Sequence, residues 1–217
     1  MRLNAGSRQG VARNYDRMSW WYGAVAGTGE SGLREAALRL FAAQAGEAVL
    51  EIGYGSGQSI LRLAEAVGDS GKACGIDISG RMLSVATRRA AAAGMAGRVE
   101  LRCADALPLP YGDSVFDGVF MSFTLEVFSP QEMDALLREC RRVLKPSGRV
   151  CVVAMSSQGK RTTMMRLYGW AHARMPKVVD CRPICAAEAL CANGFRIKAV
   201  KLSSLWGLSV ETVQAKR

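Results

Sequence analysis

Val49-Leu50-Glu51-Ile52-Gly53-Tyr54-Gly55-Ser56-Gly57-Gln58 is a short apolar run that opens into three glycines at alternate positions. The run has the length and Val/Ile content of a buried strand. Glycines directly after it let the backbone turn tightly and approach a ligand with no Cβ in the way. They stand at the carboxyl end of that strand, where open α/β sheets bind ligands. A dinucleotide fingerprint, G-x-G-x-x-G, would need Gly or Ala where Gln58 stands, and the Gly-Lys-Ser/Thr of a P-loop is absent.

Outward from this point, apolar runs rich in Val, Ile and Phe alternate with amphipathic, Ala- and Arg-rich segments, the βαβ pattern of a mostly parallel sheet with helices on both faces. Strands are predicted at Ala48–Ile52, Lys72–Ile76, Arg98–Arg102, Val115–Met121, Arg149–Met155, Arg196–Leu202 and Leu208–Ala215. Helices are predicted at Ser59–Val67, Gly80–Ala93 and Pro130–Val143, with an early one over Ser31–Gln44. Ser79 suits the N-cap of the second helix and Pro130 the first turn of the third. Pro146-Ser147-Gly148 is a turn that launches the next strand. The short link Ser203–Gly207 predicts a C-terminal antiparallel hairpin, which a plain dinucleotide fold lacks.

Two more strand ends carry carboxylates. The second ends Gly75-Ile76-Asp77-Ile78-Ser79, and an acid there accepts hydrogen bonds from both hydroxyls of a ribose. The third ends Cys103-Ala104-Asp105-Ala106, where an acid can accept from an adenine amino group. Either Asp alone could be an N-cap or turn residue; three successive strand ends carrying the fitting group argue for a site.

Taken together, Val49–Met155 resembles a class I S-adenosylmethionine (SAM)-dependent methyltransferase, of the branch similar to ubiquinone/menaquinone-biosynthesis C-methyltransferases. The stretches carrying the resemblance are Leu50–Gly57, Gly75–Ser79, Asp105-Ala106-Leu107-Pro108, Phe116-Asp117-Gly118-Val119 with Ser122-Phe123, and Glu139–Arg149. Ser147 stands where many relatives have Gly. The resemblance implies one domain with a Rossmann-like seven-stranded sheet, divided into a helical cap (1–45), a SAM-binding core (46–156), a substrate-side insertion (157–194) and the hairpin (195–217). It implies SAM as cofactor, with Gly53, Gly55 and Gly57 against the methionine portion and Glu51 near its amino group. Asp77 would hold the ribose, Ile78 and Met82 would lie near the adenine, Asp105 and Ala106 would meet it, and Ser122 would floor the sulfonium.

The sulfonium makes the methyl group electrophilic, so the protein's main task is in-line positioning with water excluded. A visible triad is therefore not required, and His172, Asp180 and Tyr15 are the groups available as a base. Acceptor contacts are expected from Tyr15, Trp20 and Tyr22 in the aromatic N-terminal segment, from Phe123, and from Tyr168 and Arg182 after the fifth strand. Met164, Leu167, Tyr168, Ala171 and Met175 form an apolar stripe at helical spacing, a pattern that more often marks core than pocket.

The formal net charge of +10 is unevenly spread. Residues 1–137 hold 13 Lys/Arg against 15 Asp/Glu, and residues 138–217 hold 16 against 4. That imbalance suits a nucleic acid, an anionic lipid surface or an anionic substrate, or simply a solubilising face. The fourth strand ends Met121-Ser122-Phe123-Thr124 and lacks the Asn/Asp-Pro-Pro-Tyr-like motif of amino-directed nucleic-acid methyltransferases, which disfavours that partner. The leading expectation is a small apolar or aromatic acceptor (quinone-, phenol- or lipid-like), with peripheral membrane association. Nucleic-acid methylation and SAM binding without catalysis are the alternatives. No signal-like segment or 18-residue apolar run is present, so the expected compartment is the cytoplasm. Cys181, Cys185 and Cys191, as C-x3-C-x5-C, match no zinc spacing, and no metal is expected.

Overall fold

A computed structural model describes residues 29–158 and 182–217. Its elements are α1 (Gly29–Phe41), β1 (Ala48–Ile52), α2 (Gln58–Val67), β2 (Lys72–Asp77), α3 (Gly80–Ala92), β3 (Val99–Cys103), β4 (Phe116–Ser122), a 3-10 turn (Leu125–Val127), α4 (Pro130–Val143), β5 (Leu144–Met155), α5 (Ala186–Ala192), β6 (Arg196–Leu205) and β7 (Leu208–Lys216). The strands make one sheet in the order β3-β2-β1-β4-β5-β7-β6. Strands β1 to β5 pair in parallel, and β7 runs antiparallel to both β5 and β6. The expected mixed sheet with its C-terminal hairpin is thus the observed one. No helix among the described residues is long and apolar enough to cross a membrane.

Alternate residues of each central strand face opposite sides, which gives the sheet two cores. Leu50, Ile52, Val119 and Val152 pack with Leu136, Leu137 and Cys140 of α4 and Leu190 of α5. Val49, Phe120, Cys151 and Val153 pack with Phe41 of α1, Ile60 and Leu63 of α2 and Ala86 of α3. Each such aliphatic or aromatic side chain contributes about 1.5–3 kcal/mol of transfer free energy. Caps set the helix starts: the Ser79 hydroxyl accepts from Met82 N, and Ser129 with Glu132 forms a capping box ahead of Pro130.

Several expected boundaries shift. Helix α1 ends at Phe41, short of Gln44, because Ala42 turns left-handed at φ 52°. Strand β5 begins at Leu144, not Arg149, because Leu144 already pairs with Phe116; residues 145–148 then bulge out before Arg149 pairs with Gly118. The Lys145 ammonium meets both Asp117 oxygens at 2.8 Å across that bulge. The hairpin link is two residues, Trp206 and Gly207, both left-handed at φ 49° and 82°, so β6 and β7 run right up to the turn.

Helix α5 was not expected within 157–194. Its N-cap, Cys185, makes no side-chain cap bond. Instead Glu211 Oε1, reaching from β7, accepts from Ala186 N at 2.5 Å. Glu126 Oε1, just after β4, accepts from Met155 N at 3.1 Å. Between these acids Ser156 bridges Ile184 in parallel, with Ile184 N donating to Met155 O and Ser157 N to Ile184 O. Burial, with Glu211 nearby, raises the Glu126 carboxyl to about 7.

Candidate functional site

The carboxyl ends of β1, β2 and β3 open into a cleft of about 790 Å³, its solvent-open mouth included. The β1–α2 loop forms one side. Its first glycine, Gly53, donates its N–H to Ile76 O and sits at φ 74°, where any Cβ would collide with Thr124. Gly55, at φ 49°, is different: a Cβ there would meet no atom of the described residues within 4 Å. A loop held by left-handed glycines with such room beside it is a cradle that any side chain would fill.

Asp77 ends β2 and is buried. Its Oδ2 accepts from Gly55 N at 2.8 Å and its Oδ1 from Ser79 N at 2.9 Å. One carboxylate thereby fixes the glycine loop and the start of α3 at the wall of the cleft. Asp105, at the end of β3, turns back on its own backbone, accepting from Leu107 N at 3.0 Å. Ile78, Ala104 and Ala106 give the cleft apolar walls, and Val127 and Phe128 close it from beyond β4.

Glu51 lies beneath the loop, 2% exposed. Burial, opposed by a hydrogen bond from Ser59 and reinforced by the Asp77 charge, lifts its carboxyl to about 8. Its Oε2 is buried with no hydrogen-bond partner among the described residues, a state that costs free energy until a donor or cation arrives.

Of the residues expected to hold a cofactor, Gly53, Asp77, Ile78, Asp105 and Ala106 line this one cleft. Glu51, Gly55, Gly57, Met82 and Ser122 are not among its lining residues: Glu51 and Met82 are buried, Gly57 packs its Cα against Ala86, and Ser122 is half-buried at the end of β4. Phe123, expected at the acceptor, adopts φ 52° and packs against the core on the α1–α3 face, outside the cleft. Arg182 is half-buried just before Ile184 and does not line the cleft either. Tyr15, Trp20, Tyr22, Tyr168, His172 and Asp180 lie outside the described residues.

Sequence reasoning missed Thr124, Val127, Phe128 and Glu132. A signal existed for Glu132: Ser129-Pro130-Gln131-Glu132 is a capping-box spacing that brings an acid to a helix start at the same sheet edge.

The family described as "Methyltransferase domain" matches residues 49–148. A demethylmenaquinone methyltransferase of Lactobacillus johnsonii is 32% identical over 146 residues, which are 67% of this chain and 58% of that protein. A ubiquinone/menaquinone biosynthesis C-methyltransferase of Pseudomonas putida is 32% identical over 139 residues, 64% of this chain and 54% of that protein. The chain spans little more than half the length of these curated relatives. Among solved structures, a SAM-dependent methyltransferase from Aquifex aeolicus superposes with a TM-score of 0.63 at 23% identity, covering 84% of this chain and 88% of that one. That last likeness is one of fold.

Proposed function

We propose that the chain, whose residues 49–148 match a methyltransferase domain, uses SAM to methylate a small, apolar, aromatic acceptor of the quinol type. The observation that carries the reading is the convergence of Gly53, Asp77, Asp105 and Ala106 on one cleft. These residues fit the cofactor: Gly55 leaves room for it, Asp77 offers acceptors to a ribose diol, and Ile78, Ala106 and Phe128 offer flat apolar contact to a purine. Asp105 would accept from the purine amino group. The unpartnered Glu51 oxygen suits a cationic amine.

When bound, SAM supplies a methyl group on a positively charged sulfur, which transfers with its bonding pair left on sulfur. The chain orients that group and keeps water from it. The acceptor class follows from what the two relatives' names say they act on, and from the apolar Val127–Phe128 side of the cleft.

The test is incubation of the purified chain with methyl-labelled SAM and a reduced, short-tailed demethylmenaquinone, in parallel with bulk transfer RNA. Label in the extracted quinone supports the reading. Label in RNA overturns it in favour of nucleic-acid methylation, and SAM binding without labelled product in either arm overturns it in favour of a non-catalytic binder.

Glu51 makes the cofactor step pH-dependent. With the carboxyl lifted to about 8 by burial, it is largely protonated at neutral pH, and a cationic amine beside it draws it back to the carboxylate. SAM affinity is therefore expected to rise roughly tenfold per pH unit below about 8, with proton release on binding. The cofactor-free fold moves the other way: the native state holds this proton more tightly than the unfolded chain, so stability falls between the ordinary value of 4.5 and about 8. Titration calorimetry in buffers of unequal ionisation enthalpy reads the proton directly. Glu51→Gln should bind more weakly with a flat profile, and a flat wild-type profile would contradict the assignment.

A further inference from the structure

We propose that the outer edge of β6 and the tip of the β6–β7 hairpin form a docking surface for an anionic phospholipid membrane. Three of the four large hydrophobic side chains most exposed among the described residues are here: Val200 at 47%, Leu202 at 58% and Trp206 at 52%. Arg196 and Lys198 precede them on the same strand and Lys201 stands between Val200 and Leu202, facing the other side of the sheet at this edge; all three cations are exposed. From residue 189 to the end the only acid is Glu211, which is buried. The surface therefore combines cations with apolar groups and offers no exposed acid of its own.

Trp206 supplies an independent argument. It occupies a left-handed turn position, φ 49°, that favours glycine or asparagine, and its side chain is half in solvent. A bulky residue held in a strained conformation, with little internal packing in return, points to work done outside the molecule. Indole rings settle at the headgroup level of a bilayer, and lysines beside them meet the lipid charge.

Other occupants fit less well. Among the described residues strand β6 is the last of the sheet and pairs with β7 alone, so a second copy could add along it. That pairing would bring Arg196, Lys198 and Lys201 of both copies together, and edge lysines commonly act to prevent such addition. A nucleic acid would satisfy the cations but leave Val200 and Leu202 in water.

The orientation is favourable. Leu205 pairs with Leu208, and Val210 pairs with Met155, so the Trp206 turn stands at the carboxyl edge where the cleft opens. The cleft itself lies at the carboxyl ends of β1 to β3, four to six strand spacings or roughly 20–30 Å from β6. A chain docked through the hairpin tip would keep that carboxyl edge of the sheet toward the lipid.

Flotation of the full chain with vesicles of phosphatidylcholine, alone or mixed with phosphatidylglycerol, tests this at low and physiological salt. Wild type should float with the anionic vesicles, less so as salt rises. Lys198→Glu with Lys201→Glu should cut partitioning at least about 25-fold, from roughly fivefold per lysine. Trp206→Ser should weaken binding while keeping its salt dependence. All three positions are exposed, and melting curves check that the variants fold; Lys198→Gln with Lys201→Gln gives a milder step in the same direction. Equal recovery with neutral and anionic vesicles, or wild-type binding by the double variant, overturns the proposal. The readout does not involve methyl transfer, so SAM binding without vesicle binding would overturn the docking surface alone.

Discussion

Asp77→Ala is expected to lower SAM affinity at least about 100-fold while leaving the chain folded. Hydrogen bonds from a diol to a buried carboxylate are each worth about 1.5–3 kcal/mol, and losing two costs roughly 3 kcal/mol or more, two decades in affinity. The variant also frees Gly55 N and Ser79 N, so the glycine loop and the start of α3 lose the acid that ties them together. Gly55→Val should match this by another route. Its Cβ would enter space that no described residue fills, at a backbone angle that β-branched residues rarely adopt. Calorimetric titration with SAM, beside circular dichroism on the same samples, separates binding from folding. Wild-type affinity in both variants would remove the cofactor from this cleft.

Arg149→Met is expected to destabilise the fold by about 3–5 kcal/mol, the cost of stripping one partner from a buried charge pair. The Arg149 guanidinium donates to Phe41 O at 2.6 Å and Ala42 O at 2.9 Å, and to both Glu47 oxygens at 2.8 and 2.6 Å. It also lies 4.6 Å from the centre of the Phe41 ring. One side chain on β5 thus satisfies the last carbonyls of α1 and places a cation at that helix's negative end. Burial pushes the Glu47 carboxyl up, yet Arg149 more than reverses this and holds it below the ordinary range. The pair's contribution is therefore present above that range and lost as pH falls through the lowered value. Urea unfolding at neutral and acidic pH measures both effects. A loss under about 1 kcal/mol would mean that the freed groups rehydrate.

What could be read in advance was whatever a single stretch of chain decides. Val49–Ile52 and Val119–Met121 are short, dense apolar runs, and their strands were evident. Gly53, Asp77 and Asp105 were evident because each directly follows such a run. Thr124, Val127 and Phe128 also follow a strand, but an apolar residue after a strand looks the same in sequence whether it lines a cleft or fills a core. Helix α5 is seven residues capped by an acid 25 positions later, and no local signal announces such a start. Arg149 looked like the charged first residue of a strand; only the approach of α1 makes it the joint of the structure. Phe123 also follows a strand, and its left-handed backbone sets its half-buried side chain against the α1–α3 core.

The paired acids Glu126 and Glu211 fasten Met155 and Ala186 to the sheet, with the Ser156–Ile184 bridge between them. The stretch from 157 to 183 therefore hangs from a closed clasp, and its departure and return are fixed whatever its own sequence. Lengthening a segment whose ends are already pinned is cheap, about 0.6 kcal/mol per doubling. Residues between such anchors can change while the sheet that holds both anchors stays as it is. Transplanting the corresponding stretch from a relative between Ser156 and Ile184 should leave the melting temperature nearly where it was.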